Sequence, residues 1–197
     1  MAVTEPKADL HRSLQAARDA LLWKLDGLSE YDARRPLTPT GTNLLGLVKH
    51  LAGCELGYFG DTFGRPPGEP LPWDGNEEEP NVDMWATADE SREDIIGLYR
   101  RACAHADTMI GTLALDAIGH LPHRPGDRGE VTLHHVLVHM IAETHRHAGH
   151  ADIVRELIDG VTGTQPGKDT TAPGDGAWWA SYRNRLEQAA REAAARS

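Results

Sequence analysis

The stretch LHHVLVHMIAETHRHAGHADIVRELIDG, residues 133–160, carries the most informative helical pattern in the chain. Apolar side chains recur in it at intervals of three and four, which is the spacing of one helix face. The hydroxyl of Thr132 can cap the start of such a helix, and Gly160 can end it. The sequence therefore predicts a long helix, the fourth along the chain, between these two residues.

Six of the 11 histidines fall within this helix, but they do not form one cluster. A step of 100° per residue places one carboxylate and three imidazoles on a shared face: His139, Glu143, His147 and His150. His134 and His145 point to the other side, where we expect them to be exposed to solvent. The shared face is unusual because it lies on a stripe that a helical bundle is expected to bury.

A buried carboxylate needs a partner, because burial of an uncompensated charge is costly. Glu143 and His147 are four residues apart, so both can reach one divalent cation above the helix surface. A third ligand must come from a neighbouring helix, and His50 is the only histidine in the second predicted helix. Periodicity does not establish that these two helices are neighbours, so the pairing needs independent support.

Three further segments carry the apolar pattern of long helices. The first helix is predicted over residues 6–30, the second over 43–61 after an N-cap at Thr42, and the third from Thr87 or Ser91 to a point before Pro122. Residues 62–82 are rich in proline and glycine and predict a long loop. No segment shows sustained alternation with a period of two, so we predict no sheet.

Residues 177–195 predict a terminal helix with aromatic side chains on one side. These aromatic residues either line an apolar pocket or dock the terminal helix, and docking is the preferred interpretation: Trp85, Trp178, Trp179 and Tyr182. The predicted fold class is all-α. We expect a single domain over residues 1–197, built as a four-helix bundle with long crossover loops and an extra C-terminal helix.

Composition restricts the function classes. The net charge is −10, and no basic stripe could neutralise a nucleic-acid backbone, so nucleic-acid binding is not expected. No signal segment or apolar run long enough for a membrane span is seen, which predicts a cytoplasmic protein with no membrane partner. Two cysteines, Cys54 and Cys103, do not imply a disulfide framework and should be reduced.

The predicted second helix has small residues on the same face as His50. Gly46, Cys54, Gly57 and Asp61 share this face, whereas other side chains point away. Glycine at such positions permits close approach of another segment or leaves room for a ligand. This face therefore suits a site that holds a metal and a small molecule together.

Three fragments resemble the DinB-like superfamily, specifically its actinobacterial branch with mycothiol-dependent members. They are LVKHLAG at residues 47–53, MWATADES at residues 84–91, and ETHRHAGHAD at residues 143–152. The resemblance extends over the whole chain. It implies a four-helix bundle in which a metal is held by one histidine of the second helix and two residues of the fourth.

Transferred to this sequence, the resemblance implies that His50, Glu143 and His147 bind the metal, with solvent completing the coordination shell. Glu143 replaces the first member of the usual His-x-x-x-His pair, as in the branch similar to mycothiol-dependent maleylpyruvate isomerases. Zinc is the expected metal, with nickel or Fe(II) as alternatives. Because the implied site is open, Cys54 is expected to be neither a fourth ligand nor a nucleophile.

The leading functional hypothesis is a zinc-dependent transferase that activates a low-molecular-weight thiol, mycothiol in the first instance, for conjugation to a small electrophile. His139 and His150 are the candidate catalytic residues, acting by orientation or proton transfer. One alternative is a non-haem Fe(II) enzyme with two histidines and one carboxylate, and another is a non-catalytic, stress-related metal-binding protein. The sequence leaves open whether the bundle forms a homodimer.

Overall fold

The computed structural model describes residues 5–66, 68, 70–74, 79–122, 124, 129–168, 171–172 and 174–196. Its α-helices are α1 (Pro6–Trp23), α2 (Glu30–Arg34), α3 (Leu44–Glu55), α4 (Arg92–Thr112), α5 (Leu133–Asp159) and α6 (Gly176–Ala194). The long helices α1, α3, α4 and α5 pack together as a bundle. This confirms the predicted all-α fold class.

The predicted limits of α5 agree closely with the structure. Thr132 Oγ1 accepts a hydrogen bond of 3.1 Å from the backbone N–H of His135, so the hydroxyl caps the helix. At the other end Gly160 has a φ of 78°, a left-handed conformation that costs glycine little and ends the helix. His134 and His145 are exposed, as their face predicts.

The first two helices differ from the predicted ones in their limits. The first ends at Trp23 rather than near residue 30, because Gly27 adopts a φ of 74° and Ser29 caps the short α2. The N-cap of α3 is Asn43 rather than Thr42, and its side chain accepts a 2.7 Å hydrogen bond from the N–H of Gly46. After α3 the backbone continues as a π-helical turn, Leu56–Gly60, and a 3-10 turn, Asp61–Phe63.

The prediction of no sheet is wrong in one place. β1 (Ile118–His120) pairs antiparallel with β2 (Glu130–Thr132), with Gly119 opposite Val131. Each strand has only three residues, which is too short for an alternating pattern to be recognised. The hairpin leads directly into α5, since Thr132 is both the end of β2 and the N-cap of the helix.

Two groups of buried apolar side chains hold the bundle together. One joins the end of α1 to α3 and α4, and includes Leu21, Leu51 and Tyr99. The other joins α1, α4 and α5 around Phe59 and Met140. Burial of this apolar surface is the main force that brings α3 against α5 and so positions the candidate site.

The terminal helix does not dock as predicted. α6 contains no buried residue, and Trp178 and Tyr182 stack on each other with ring centroids 5.3 Å apart. The aromatic residues of α6 therefore pack on one another at the helix surface. Their spacing along the sequence is the same whether they pack in this way or dock the helix onto the bundle. Trp85 is also exposed, at 41%. Within the described part of the chain, no helix has the length and apolar character needed to cross a membrane.

Candidate metal centre

Three of the residues singled out from the sequence meet in the structure. His50 of α3 and Glu143 and His147 of α5 each offer a ligand atom, and these atoms all lie within 4.8 Å of one another. Nε2 of His147 is 2.9 Å from Oε1 of Glu143, and Nε2 of His50 is 3.7 Å from the same oxygen. Two imidazoles and one carboxylate are a donor set that suits zinc or Fe(II).

The two helices present these groups from opposite sides. Glu143 and His147 are one helical turn apart on α5, and His50 projects towards them from α3, with its ring centroid 5.0 Å from that of His147. His147 is buried, whereas the side chains of His50 and Glu143 are 22% and 23% exposed. The cluster therefore has one buried side and one side that solvent or a small molecule can reach.

Asp83, a carboxylate that the sequence pattern did not single out, is hydrogen-bonded to His50. Asp83 Oδ2 lies 2.6 Å from Nδ1 of His50, in the 3-10 turn Val82–Met84. A histidine that donates from Nδ1 keeps Nε2 unprotonated and aimed at the cluster. The signal for this contact was weak, because Asp83 belongs to an irregular segment in which no periodicity relates it to α3.

The turn that carries Asp83 is fastened to α3. The side chain of Asn43 donates a 3.1 Å hydrogen bond to the carbonyl of Met84, and Nζ of Lys49 donates one of 3.0 Å to the carbonyl of Trp85. A Cβ built on Gly46 would lie 1.8 Å from the Met84 carbonyl oxygen, so only glycine permits this approach. The glycine in the LLGLVKH segment thus has a structural role in bringing Asp83 to His50.

Electrostatics favour the metal-binding protonation states of the α5 residues. Burial opposes ionisation of Glu143, but the hydrogen bond from His147 and the charges of His147 and His50 lower its pKa below the usual range. Burial and the charge of His50 lower the pKa of His147, against the opposing pull of Glu143. At neutral pH the cluster is therefore a carboxylate with a neutral His147.

The two candidate catalytic histidines lie at the edge of this cluster. Nδ1 of His150 is 3.3 Å from Nδ1 of His147, so the two rings can share one N–H between them. The ring of His139 packs against that of Tyr58, with centroids 4.5 Å apart. His150 contacts His147 directly and can orient it, whereas the ring contact of His139 is with Tyr58.

Cys54 is close to the cluster, but its thiol is a poor nucleophile in the metal-free protein. Its sulfur is 3.4 Å from Nε2 of His50, one turn earlier on α3. Burial raises the pKa of the Cys54 thiol to about 12, assisted by the negative charges of Glu143, Asp83 and Glu55. The thiol is therefore protonated at neutral pH and is a poor nucleophile.

A cavity of about 340 Å³ adjoins the cluster at His50 and Cys54. Gly53 and Gly57 lie along it, and Trp73 and Tyr58 contribute aromatic surface. Part of this boundary is the π-helical turn Leu56–Gly60, a rare element that is frequent at functional sites. A small molecule could reach the cluster through this space.

These features define a class of protein: a four-helix bundle in which α3 and α5 bring two imidazoles and a carboxylate together beside a cavity. The sequence model of the mycothiol-S-transferase family matches residues 9–160 of the chain. The chain therefore belongs to the mycothiol-S-transferase family. The match begins within α1, extends through α5 and ends before α6. A comparison with curated proteins finds no match.

Proposed function

We propose that this protein is a zinc-dependent S-transferase that joins a low-molecular-weight thiol, mycothiol in the first instance, to a small electrophile in the cytoplasm. The observation that supports it is the meeting of His50, Glu143 and His147 in a chain of the mycothiol-S-transferase family.

The proposed ligands are His50, Glu143 and His147, which fit a divalent cation by donor type and proximity. A cation held there would lower the pKa of a bound thiol from about 8.5, so that thiolate is present near neutral pH. Asp83 Oδ2 lies 2.6 Å from Nδ1 of His50 and accepts its N–H in the tautomer whose Nε2 can bind a metal. His150 accepts the Nδ1–H of His147 in the same way.

The reaction itself needs little from the protein beyond position and a proton acceptor. The thiol loses its proton, its sulfur forms a bond to carbon of the electrophile, and the leaving group departs with the electron pair of the broken bond. His150, whose Nδ1 faces Nδ1 of His147, orients that ligand and has no free lone pair left for the thiol proton. His139, which packs on Tyr58 of the cavity lining, is the candidate to accept the proton.

Metal analysis and conjugation assays test this proposal together. Purified protein is assayed for zinc, nickel and iron, then stripped, reloaded with each metal, and supplied with mycothiol and monobromobimane. We expect conjugation that depends on zinc and saturates with thiol. Conjugation that is unchanged in metal-free protein would overturn the proposal, and restoration by Fe(II) alone would favour the non-haem iron alternative.

A matched pair of variants links the metal to Glu143. Glu143→Gln keeps the side-chain size but removes a ligand charge, so zinc affinity should fall by at least the roughly 10–100-fold that even outer hydrogen-bond partners of a metal site contribute. Glu156→Gln changes an exposed carboxylate of the same helix and should leave zinc affinity unchanged. Equal zinc affinity in the two variants would show that Glu143 is not a ligand.

A further inference from the structure

From the terminal helix we infer that this protein pairs with a second copy of itself through an antiparallel contact between the two α6 helices. The helix spans Gly176–Ala194, and none of its residues is buried. It also lies outside residues 9–160, which the family model matches, so neither the bundle nor the metal centre accounts for it. The inference does not depend on the proposed function.

The first observation is that α6 exposes a large apolar surface. Trp178, Tyr182 and Leu186 are all exposed, and Leu186 has 54% of its surface open to solvent. A helix of 19 residues gains little stability from its own length, and most helices of this size depend on packing of an apolar face. An exposed apolar stripe on such a helix therefore marks a surface that another polypeptide covers.

The second observation is that this stripe follows the repeat of a two-helix coil. Uncharged side chains recur along α6 at intervals that alternate between three and four residues: Trp179, Tyr182, Leu186, Ala189 and Ala193. An alternation of three and four keeps one narrow seam facing a single partner helix. The broader apolar face of a helix that packs on a bundle has additional apolar positions beside this seam. The pattern on α6 thus favours one helix as the partner.

The sizes of the side chains along the seam determine the direction of the pair. The first half of α6 carries the bulky residues and the second half carries alanines. In a parallel pair each residue meets its own copy, which crowds one end and leaves voids at the other. In an antiparallel pair Leu186 packs against Ala189 of the second copy, and Tyr182 packs against Ala193 of the second copy. Trp179 then lies beyond the end of the second helix at Ala194, where there is space for the indole.

The charges beside the seam fit the same antiparallel register. Arg185 and Glu192 border one side of the seam and are seven residues apart, about 10 Å along the helix, which is too far for a pair within one chain. In the antiparallel register Arg185 of each copy lies beside Glu192 of the other, so symmetry gives two ion pairs. A parallel pair places Arg185 beside Ala190 of the second copy and gives none.

The contacts that these two residues make within one chain leave them accessible. The guanidinium of Arg185 lies over the Tyr182 ring, 5.5 Å from its centroid, and Glu192 accepts a 2.9 Å hydrogen bond from Gln188. All four side chains are exposed to solvent. Both charges can therefore turn towards a second copy while the helix is unchanged.

Sedimentation of the full chain tests the seam. Analytical ultracentrifugation from about 1 to 200 μM should show a monomer–dimer equilibrium with a Kd on the order of 10 μM, as expected of a small interface. Leu186→Glu should raise this Kd by at least about tenfold, because it places a charge at the centre of the seam. Leu157→Glu is the matched control, because Leu157 is an exposed leucine of α5, and it should leave the Kd unchanged.

A charge exchange tests the register. Arg185→Glu should raise the Kd by about fivefold, since like charges then meet twice, and adding Glu192→Arg should return it to within about twofold of wild type. Recovery must come from contact between copies, because the two positions are too far apart to pair within one helix. Arg191→Glu with Glu187→Arg makes the same exchange on the outer face of α6, where the two residues pair at 2.9 Å, and should leave the Kd unchanged.

Disulfide trapping tests the direction of the pair. Tyr182→Cys and Ala193→Cys are prepared in a Cys54→Ala, Cys103→Ala background and oxidised separately and as a mixture. In the antiparallel pair only the mixture should form a cross-linked dimer, since each position lies about 16 Å along the pair from its own copy, beyond the reach of a disulfide. A parallel pair would instead let Tyr182→Cys cross-link to itself.

The outcomes that would overturn the inference are distinct. A wild-type chain that stays monomeric up to about 200 μM excludes self-association through α6. A dimer that Leu157→Glu dissociates and Leu186→Glu preserves places the interface on α5 instead. Self-cross-linking of Tyr182→Cys, or a charge exchange without recovery, excludes the antiparallel register. Zinc-dependent conjugation is measured in every variant and should stay at the wild-type rate, so failure of this inference leaves the proposed function unaffected.

Discussion

Asp83 and His50 are joined by a 2.6 Å hydrogen bond although 33 residues separate them in the chain. The contact depends on the close approach of the Met84 carbonyl to Gly46, which brings the turn of Asp83 onto α3. Such a carboxylate fixes both the orientation and the tautomer of an imidazole ligand. The orientation of the His50 ring is therefore set partly by a loop and not by α3 alone.

Loss of the Asp83 carboxylate should weaken metal binding while the fold persists. For Asp83→Ala we expect zinc affinity to fall by about 10–100-fold, the usual effect of removing such a partner. Chelator competition measures this directly, and circular dichroism monitors folding. Asp89→Asn alters an exposed carboxylate of the same segment and is the control. Equal zinc affinities of the two variants would show that Asp83 does not support His50.

The parts of the structure that follow a period were predictable from the sequence. The apolar spacing and the Thr132 cap give α5 almost to the residue, and the 100° step places Glu143 and His147 on one face. Periodicity within a helix carries no information on which helix lies opposite. The choice of His50 as their neighbour therefore depended on the family resemblance.

The features that escaped prediction lack such a period. Asp83 lies in an irregular segment, and the strands around Gly119 are only three residues long. Composition rules place charged residues in solvent, yet Arg18 and Glu55 are buried against each other. Tertiary contacts determine these features, and a local pattern in one sequence does not encode them.

Acidification should destabilise the metal-free protein through His147. Burial and the charge of His50 lower the pKa of His147 from its ordinary 6.5, so the folded protein binds a proton there less readily than the unfolded chain. This contribution to stability is fully present above about pH 6.5 and is lost as the pH falls towards the lower folded pKa. Urea unfolding at pH values across this range should show the loss.

His147→Gln should flatten that part of the stability curve, because it removes the titrating group. His145→Gln replaces an exposed histidine of the same helix and should preserve the curve of the wild type. Parallel curves for wild type and His147→Gln between about pH 7 and pH 5 would contradict the assignment of this proton to His147.

Cys54 should be dispensable for catalysis despite its position beside His50. In the metal-free protein, burial raises the pKa of both Cys54 and Cys103 to about 12, which disfavours a thiolate at either position. Cys54→Ala and the matched Cys103→Ala should each lose about 1 kcal/mol of unfolding free energy from packing. Zinc-dependent conjugation should stay within about threefold of wild type in both.

A loss of conjugation confined to the Cys54→Ala variant would refute this prediction. A folded, zinc-loaded Cys54→Ala variant that no longer conjugates, beside an active Cys103→Ala variant, would make Cys54 the nucleophile. Zinc content must be measured in each sample, because the Cys54 sulfur lies 3.4 Å from Nε2 of His50 and its loss could alter metal retention.

Of the ion pairs in the bundle, the buried pair of Arg18 and Glu55 should lose the most unfolding free energy when only one partner is replaced. Arg18 donates to Glu55 at 2.7 and 2.6 Å in a two-pronged contact, and also to Asp107 at 2.7 Å, while its side chain is 1% exposed. Glu55→Gln leaves the guanidinium buried with less compensation, which typically costs about 3–5 kcal/mol. Glu187→Gln, from an exposed pair with Arg191 on α6, should cost less than about 1 kcal/mol.

Replacing both partners separates the value of the pair from the cost of an orphaned charge. In Arg18→Met with Glu55→Leu neither charge remains to be buried, so much of the unfolding free energy lost in Glu55→Gln should return, as measured by urea denaturation. Full recovery is not expected, because Arg18→Met also removes the 2.7 Å contact of Arg18 with Asp107. If the double variant is less stable than Glu55→Gln, the pair itself stabilises the junction of α1 and α3, and desolvation does not dominate its energetics.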